Sequence, residues 1–352
     1  MYITPIFTQK YYSQRESLNN NYVIQPKFVQ TLACDTVSFS AARKNKPIKE
    51  VNKNKIKEEE SKEVSTKLCT EIKDEAQLPA KDLHSLLKRE FKGLIASEAH
   101  PDNPILPGTN GIKVRVKSPR SIRDKALSTK NYTKDEIKKM GDVVGARIVM
   151  QRGDQEDFDK VFKVLANMVK SGKIKIKEVE NYRLTSKDSY VSQKTLDNFE
   201  AACTKAGQYP EIKSKPIANG YTAIHMTVIL EDGLEGEIQI MGRDVEYVKE
   251  IEDFYYKLRC KKGFDPKYKS IEKTMKEKVK TLSDFEKEAL DKYIMDSYIH
   301  ARKLPPRKAK NTAKDFLPWP YFLPEELSYT YLLKAKTECD RLAKEAADTR
   351  KK

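Results

Sequence analysis

Two runs of alternating apolar and polar residues, 222–230 and 235–241, meet at Glu231-Asp232-Gly233-Leu234. A link that short joins antiparallel neighbours, because parallel strands need a crossover of a dozen residues or more, so the pair predicts a β-hairpin. Upstream, strand and helix patterns alternate. Ile112-Lys113-Val114-Arg115-Val116-Lys117 puts three apolar residues on one strand face and three cations on the other. Pro119 opens a helix reaching about residue 130, a short helix covers 134–140, and the apolar run 143–150 reads as a buried strand. Phe158, Val161, Phe162, Leu165 and Val169 mark the next helix, Gly172 closes it, and an alternating strand follows at 174–179. Strand and helix alternating and then closing on a hairpin predict a chain of the α/β (α+β) class, a mixed sheet with helices packed on it.

Helical patterns flank this unit. Leu83, Leu86, Leu87, Phe91, Leu94 and Ile95 recur at three- and four-residue steps, 245–261 repeats the pattern, and 268–302 reads as one or two further helices. Residues 1–75 read as a disordered, basic, low-complexity tail: 41–57 is rich in Lys and Asn, and Glu58-Glu59-Glu60 follows. Residues 183–214 are polar, with one weak helical pattern at Leu196, Phe199 and Ala202, and read as an insertion. The resulting division is a tail at 1–75, a central domain at 76–265 and a helical C-terminal extension at 266–352. A proline-punctuated linker runs through 304–324 and a polar helix lies beyond it.

Composition excludes several classes. No run of eighteen apolar residues occurs, so a membrane-spanning helix is not expected, and Met1 to Gln14 lacks the apolar stretch of a secretory signal. Cys34, Cys69, Cys203, Cys260 and Cys339 are odd in number and widely spaced, which fits neither a disulfide framework nor a zinc site and suits reduced thiols in a cytoplasm. The four histidines are scattered, with no His-Asp pair and no HExxH. Lys and Arg number 68 against 52 Asp and Glu, a net charge of +16. The segment 113–152 alone holds 12 Lys or Arg against 4 Asp or Glu. Charge concentrated in this way favours a polyanionic ligand over the general excess of solvated Lys-rich helices.

Four constellations can carry chemistry. Arg115 and Lys117 share a strand face, and Ser121 and Lys125 share a face of the helix that Pro119 opens. Strand end, tight connection and helix start together make an anion cradle, or else an exposed basic strand. Asp142, within Gly141-Asp142-Val143-Val144-Gly145-Ala146-Arg147, enters a buried strand, where a carboxylate needs a partner or a cation; a turn aspartate after a capping glycine is the plainer reading. In Asn219-Gly220-Tyr221-Thr222-Ala223-Ile224-His225, alternation places Tyr221 and His225 on one face, able to stack a base and contact a phosphate, or simply half-exposed on a hairpin. Glu235, Glu237 and Gln239 share a face of the last strand. If that strand neighbours the one Asp142 enters, two carboxylates can share Mg²⁺; otherwise the face is the polar side of an edge strand.

In this order, Arg-x-Lys-x-x-x-Ser-Ile-x-x-Lys (115–125), Asp-x-x-Gly-x-Arg (142–147), Asn-Gly-Tyr-x-x-x-His (219–225) and Glu-Ile-Gln-Ile (237–240) resemble the RelA/SpoT synthetase domain, over about residues 80–265. The resemblance implies a nucleotidyltransferase-like mixed sheet. It also implies a GTP diphosphokinase that moves the β,γ-pyrophosphate of ATP to the ribose 3′-hydroxyl of GDP or GTP, giving (p)ppGpp and AMP. By position, Arg115, Lys117, Ser121, Lys125 and Arg147 resemble the ATP ligands, and Asp142 and Glu237 the catalytic carboxylates, Asp142 as the Mg²⁺ ligand and Glu237 assisting Mg²⁺ or acting as base on the acceptor hydroxyl. Tyr221 resembles the residue stacked on the acceptor guanine, with Asn219, His225, Gln239 and Lys215 around it. No His-Asp hydrolase half is expected, so the chain is similar to a stand-alone small alarmone synthetase, cytoplasmic and able to form a homo-oligomer.

The chain departs from the family pattern in three places. Met241-Gly242-Arg243 stands where many members have Arg-Thr, the interval between Asp142 and Glu237 is enlarged, and the basic residue before Asn-Gly-Tyr is offset to Lys213 or Lys215. These departures bear on the acceptor more than on the reaction. Two other readings therefore stay open. One is a toxin-like relative acting on tRNA 3′ ends or adenine nucleotides, its basic extensions holding RNA. The other is a non-catalytic nucleotide sensor.

Overall fold

The computed structural model describes residues 64–94, 105, 111–183, 191–217, 219–303 and 317–349. Among the described residues, β1 (Ile112–Val116), β2 (Val144–Met150), β3 (Lys175–Arg183), β4 (Glu211–Pro216), β5 (Ala223–Ile229) and β6 (Glu235–Gly242) form one mixed sheet of order β1-β2-β6-β5-β3-β4. β2 pairs with β6 and β3 with β4 in parallel, while β1–β2, β3–β5 and β5–β6 are antiparallel. The last of these is the expected hairpin. Its turn is closed by Leu230 N–H donating to Leu234 O at 2.8 Å, with Asp232 and Gly233 both at positive φ.

Alternation gives this sheet two unlike faces. Ile112, Val144, Ala146, Ile148, Ile238, Ile240, Ile224 and Met226 point into an apolar core. That core is covered by α1 (Thr66–Glu75), α2 (Gln77–Glu90), α3 (Pro119–Thr129), α5 (Gln155–Lys170) and α6 (Gln193–Lys205). Local chemistry starts these helices where the sequence predicts. Ser118 Oγ accepts from Ser121 N–H at the head of α3, with Pro119 next to it. Asp154 caps α5, and Thr133 with Glu136 makes a capping box for α4 (Lys134–Lys138). The opposite face carries Lys113, Arg115, Arg147, Glu237, Gln239 and His225 and meets α7 (Arg243–Arg259), on which α8 (Lys269–Thr281), α9 (Asp284–Lys303) and α10 (Tyr329–Thr349) pack. No described helix is long and apolar enough to cross a membrane.

The structure corrects three expectations. Residues 66–75 are helix α1 rather than the end of a tail; residues 1–63 lie outside the described residues. The helix was hard to see because it buries little besides Cys69 and Ile72. It is held through its polar face, by Lys134 against Glu71 at 2.6 Å and Lys138 against Glu75 at 3.0 Å. Residues 191–214 are no appendage to the domain. α6 packs Phe199 edge-on to Phe162 with ring centroids 5.2 Å apart, and β4 is the sheet's edge strand. An edge strand solvated on both faces needs no alternation, so Glu211-Ile212-Lys213-Ser214-Lys215-Pro216 shows none.

The third correction concerns the C-terminal third. The boundary placed at residue 265 runs through a core, where Phe254 stacks on Phe264 at 5.5 Å and meets Tyr268 edge-on at 5.4 Å. The described part of the proline stretch is packed as well. Trp319 lies against Tyr293 at 4.8 Å and its indole N–H donates to Leu323 O at 3.2 Å. Pro305 and Pro306 fall outside the described residues.

Because α6 belongs to the main core, Phe199→Ala should destabilise the whole domain by about 3–5 kcal/mol. Urea denaturation followed by tryptophan fluorescence checks this; a loss below about 1 kcal/mol would mean that 191–214 is a separable appendage after all.

Candidate active site

Two rows of side chains cross the polar face. In the first, strand register sets Arg115 beside Gly145, Gly145 beside Glu237 and Glu237 beside Thr227. In the second, Lys113, Arg147, Gln239 and His225 stand in line. Gly145 has no side chain, and a Cβ built there would meet nothing within 4 Å. The gap between Arg115 and Glu237 therefore opens into a cleft of about 320 Å³, lined among others by Lys117, Asp142, Arg147 and Gln239.

One end of the cleft is basic. Asp142 Oδ2 accepts from Lys117 Nζ, and Lys125 Nζ stands 2.8 Å from the same oxygen while reaching Met140 O at 3.2 Å. Burial pushes the pKa of Lys117 down, and Asp142 draws it partly back. Arg115 stands next along the strand. Ser121 is exposed at the first turn of α3, its hydroxyl 3.0 Å from Ser118 Oγ, outside the cleft lining. Its neighbouring backbone amides are those of a helix start, the kind of position that receives anions.

The other end is a chain of hydrogen bonds. Tyr221 Oη lies 2.9 Å from His225 Nε2, His225 Nδ1 lies 2.9 Å from Glu237 Oε1, and Gln239 Nε2 donates to Glu237 Oε2 at 2.6 Å. Gln239 Oε1 in turn accepts from Arg147 Nε and Nη2, and Arg147 Nη1 reaches Glu246 of α7 at 3.2 Å. Burial would raise the pKa of Glu237. The adjacent His225, the hydrogen bonds from His225 and Gln239, and the charge of Lys249 outweigh it and hold the group down to about 2. Burial pushes the Tyr221 phenol up, so its hydroxyl stays protonated.

Asp142, two residues before β2, and Glu237, on the neighbouring β6, line one cleft. Asp142 Oδ1 is buried and has no hydrogen-bond partner. A buried carboxylate oxygen left in this way is costly unless a cation takes it. Both oxygens of Glu237 accept one hydrogen bond here and each keeps a further lone pair. The donor set is hard oxygen, suited to Mg²⁺ that completes its shell with phosphate and water.

Other candidates take different places. Tyr221 is only 6% exposed. Its ring meets Tyr182 at 5.8 Å and Tyr298 at 5.7 Å, and Lys249 Nζ lies 4.9 Å from its centroid. A base can reach the ring only by displacing one of these neighbours. Asn219 Oδ1 accepts from Tyr221 N–H at 3.1 Å and so shapes the turn. At Gly220, φ is +81° and a Cβ would come within 2.9 Å of Met295 O in α9, so only glycine fits. Lys215 sits on β4, paired with Glu180 at 3.0 Å and outside the cleft lining, as is Arg243, which turns to Asp244 at 3.2 Å. Sequence reasoning missed Tyr182, Glu246, Lys249 and Tyr298. The helical spacing of Glu246, Lys249, Glu250 and Asp253 is a legible polar stripe, whereas nothing local marks Tyr298.

Residues 114–261 match the family described as a region found in RelA/SpoT proteins, and that segment is a RelA/SpoT domain. Among solved structures, the chain is similar to small alarmone synthetase 1 from Bacillus subtilis, with 19% identity over 65% of this chain and 89% of that one, TM-score 0.39. It is also similar to small alarmone synthetase 2 from the same organism, with 18% identity over 63% and 88%, TM-score 0.36. A GTP pyrophosphokinase family protein from Streptococcus pneumoniae gives 16% identity over 66% and 98%, TM-score 0.34. Comparison with curated proteins gives no significant match.

Gly145→Val tests whether the cleft is the working site. The strand tolerates the larger residue, because nothing lies within 4 Å of the new Cβ. Stability should hold or rise by about 0.4–1 kcal/mol. Nucleotide binding measured by calorimetry should fall at least about tenfold, and binding equal to wild type would place the ligand elsewhere. A second test concerns Glu237, whose pKa is depressed to about 2 in the folded chain and is roughly 4.3 when unfolded. Its charge stabilises the fold fully above the unfolded value, and that contribution is lost as pH falls through the folded one. The stability gap between wild type and Glu237→Gln, from urea titrations, should be constant above about pH 5 and close between roughly pH 4.5 and 2.

Proposed function

We propose that the chain is a Mg²⁺-dependent GTP diphosphokinase, transferring the β,γ-pyrophosphate of ATP to the ribose 3′-hydroxyl of GDP or GTP. The observation that carries this reading is one cleft lined both by the cations Arg115, Lys117 and Arg147 and by the carboxylates Asp142 and Glu237. Cations on one side suit a triphosphate donor, and carboxylates beside them suit its metal and a neutral hydroxyl acceptor.

In the reaction the acceptor 3′-oxygen bonds to the β-phosphorus of ATP, the bond from that phosphorus to the α-bridging oxygen breaks, and AMP leaves. Arg115, Lys117 and Lys125 hold the polyphosphate, and Arg147, fixed by Gln239 and Glu246, adds charge at the far wall. Mg²⁺ held by Asp142 and Glu237 would offset the charge gathering on the transferred group. Lys117 and Lys125, paired with Asp142, would turn to the phosphate oxygens of the bound donor. Glu237 orients the 3′-hydroxyl and takes its proton. A carboxylate this acidic is a weak base, which suits a loose transfer in which the nucleophile's proton leaves late. His225 keeps Glu237 in place, and Tyr221 stacks on the acceptor base.

Purified protein given ATP, Mg²⁺ and GDP or GTP should yield AMP and a 3′-pyrophosphorylated nucleotide. ADP and phosphate alone, or no turnover, would sink the reading, and label transferred mainly to tRNA would replace the nucleotide acceptor with an RNA end. Asp142→Asn should lower turnover by roughly 10²-fold or more while circular dichroism stays that of the wild type. Near-normal turnover in the folded variant would remove Asp142 from its role.

A further inference from the structure

Lys249 is a charged residue beside Tyr221 that this reaction leaves unused. It projects from α7, half-buried, with its ammonium over the ring of Tyr221 at 4.9 Å. The acids around it on α7 have cations of their own. Glu246 takes Lys113 at 2.6 Å and Arg147 at 3.2 Å, Glu252 takes Arg259, and Asp253 takes Lys257 at 2.7 Å. Among the described residues, Lys249 makes no ion pair and no hydrogen bond. Burial pushes its pKa down and Arg147 pushes the same way, with Asp253, Glu252 and Glu237 opposing. Among the described protein groups this half-buried ammonium has only an aromatic face, so its three donors are left for solvent or a ligand.

Its position gives those donors a use. Lys249 covers the ring assigned to the acceptor base, and its charge is felt at Glu237, assigned to the acceptor hydroxyl. A purine arriving on Tyr221 must push the ammonium off the ring face toward an edge of the base. Guanine offers N7 and O6 side by side, both acceptors, whereas adenine sets an amino donor beside N7. A group that only donates matches the first edge at both positions and clashes with the amino hydrogens of the second. We propose that Lys249 is the specificity-determining residue for the acceptor, reading the O6/N7 edge of guanine and rejecting adenine. The inference rests on the transfer reaction proposed above and names its acceptor base.

The test combines binding and transfer. The donor site is filled with α,β-methylene-ATP, and GDP, IDP and ADP are titrated by calorimetry; transfer rates from ATP to each are measured separately. IDP keeps O6 and N7 and lacks the 2-amino group. The wild type should bind GDP and IDP comparably and ADP at least about tenfold more weakly. Lys249→Met should collapse the GDP-to-ADP ratio by about tenfold or more in binding and in KM, and Lys249→Arg should largely restore it. An unchanged ratio in Lys249→Met overturns the proposal. So does wild-type rejection of IDP as strong as that of ADP, or an equal loss for GDP and ADP, which is the mark of a phosphate contact. If no acceptor is pyrophosphorylated yet GDP binding depends on Lys249 in this way, the reaction is wrong and the base reading stands. The wild-type nucleotide series decides the matter even if a variant fails to fold.

Discussion

The parallel pairing of β2 with β6 sets almost everything in the site. It puts Gly145 beside Glu237 and Arg147 beside Gln239, and it carries the strand that Asp142 enters to the strand that bears the second carboxylate. A slip of one residue would turn Glu237 and Gln239 into the core and Ile238 and Ile240 into the cleft. The apolar cost of that slip is what fixes the chemistry in place. Parallel neighbours also cannot be joined by a turn. The chain between them must travel, and along that route it builds α5, β3, α6, β4 and β5. The described part of the segment expected as an insertion is therefore on the crossover that makes the central pairing possible, and its helix α6 packs into the core.

Most of the site's charges satisfy one another. Lys117 and Lys125 hold Asp142, Lys113 and Arg147 hold Glu246, and His225 with Gln239 holds Glu237. A cleft of unpaired cations would repel itself and lose hydration without return. On the proposed reading, binding a triphosphate with its metal would be an exchange of partners, the lysines turning from Asp142 to phosphate oxygens and Asp142 to the cation. Asp142 Oδ1, buried and without a donor, is the one oxygen of this network with nothing to exchange.

Residues whose role follows from local pattern were legible in the sequence. The alternation of 112–117 placed Arg115 and Lys117 on the cleft side, Pro119 with Ser118 announced α3, and the hairpin turn fixed 222–241. The shared-cation reading of Asp142 and Glu237 needed one long-range fact, strand adjacency, that no local pattern supplies. What stayed hidden follows the same rule. α1 is stabilised by ion pairs to α4 across some sixty residues of sequence, and β4 is an edge strand with one apolar residue. Lys215 looked right because it precedes Asn-Gly-Tyr, yet its strand lies on the far side of β3 and its charge is used by Glu180. Sequence proximity to a motif does not survive a strand order of β5-β3-β4.

The two halves of the site are not built in the same way. Arg115, Lys117, Lys125, Asp142 and Arg147 all fall within 114–261, on the sheet and on α3, which starts at the end of β1. The acceptor side leans on a later element. Met295 O closes over Gly220, Tyr298 meets the ring of Tyr221 edge-on, and Arg302 donates to Thr222 Oγ1 at 2.8 Å, all from α9. A change in α9 would act first on Gly220, Tyr221 and Thr222, the residues it touches. On the proposed reading, the sheet would constrain the transfer chemistry, while the choice of acceptor would fall to residues on helices, Lys249 of α7 and Tyr298 of α9 among them.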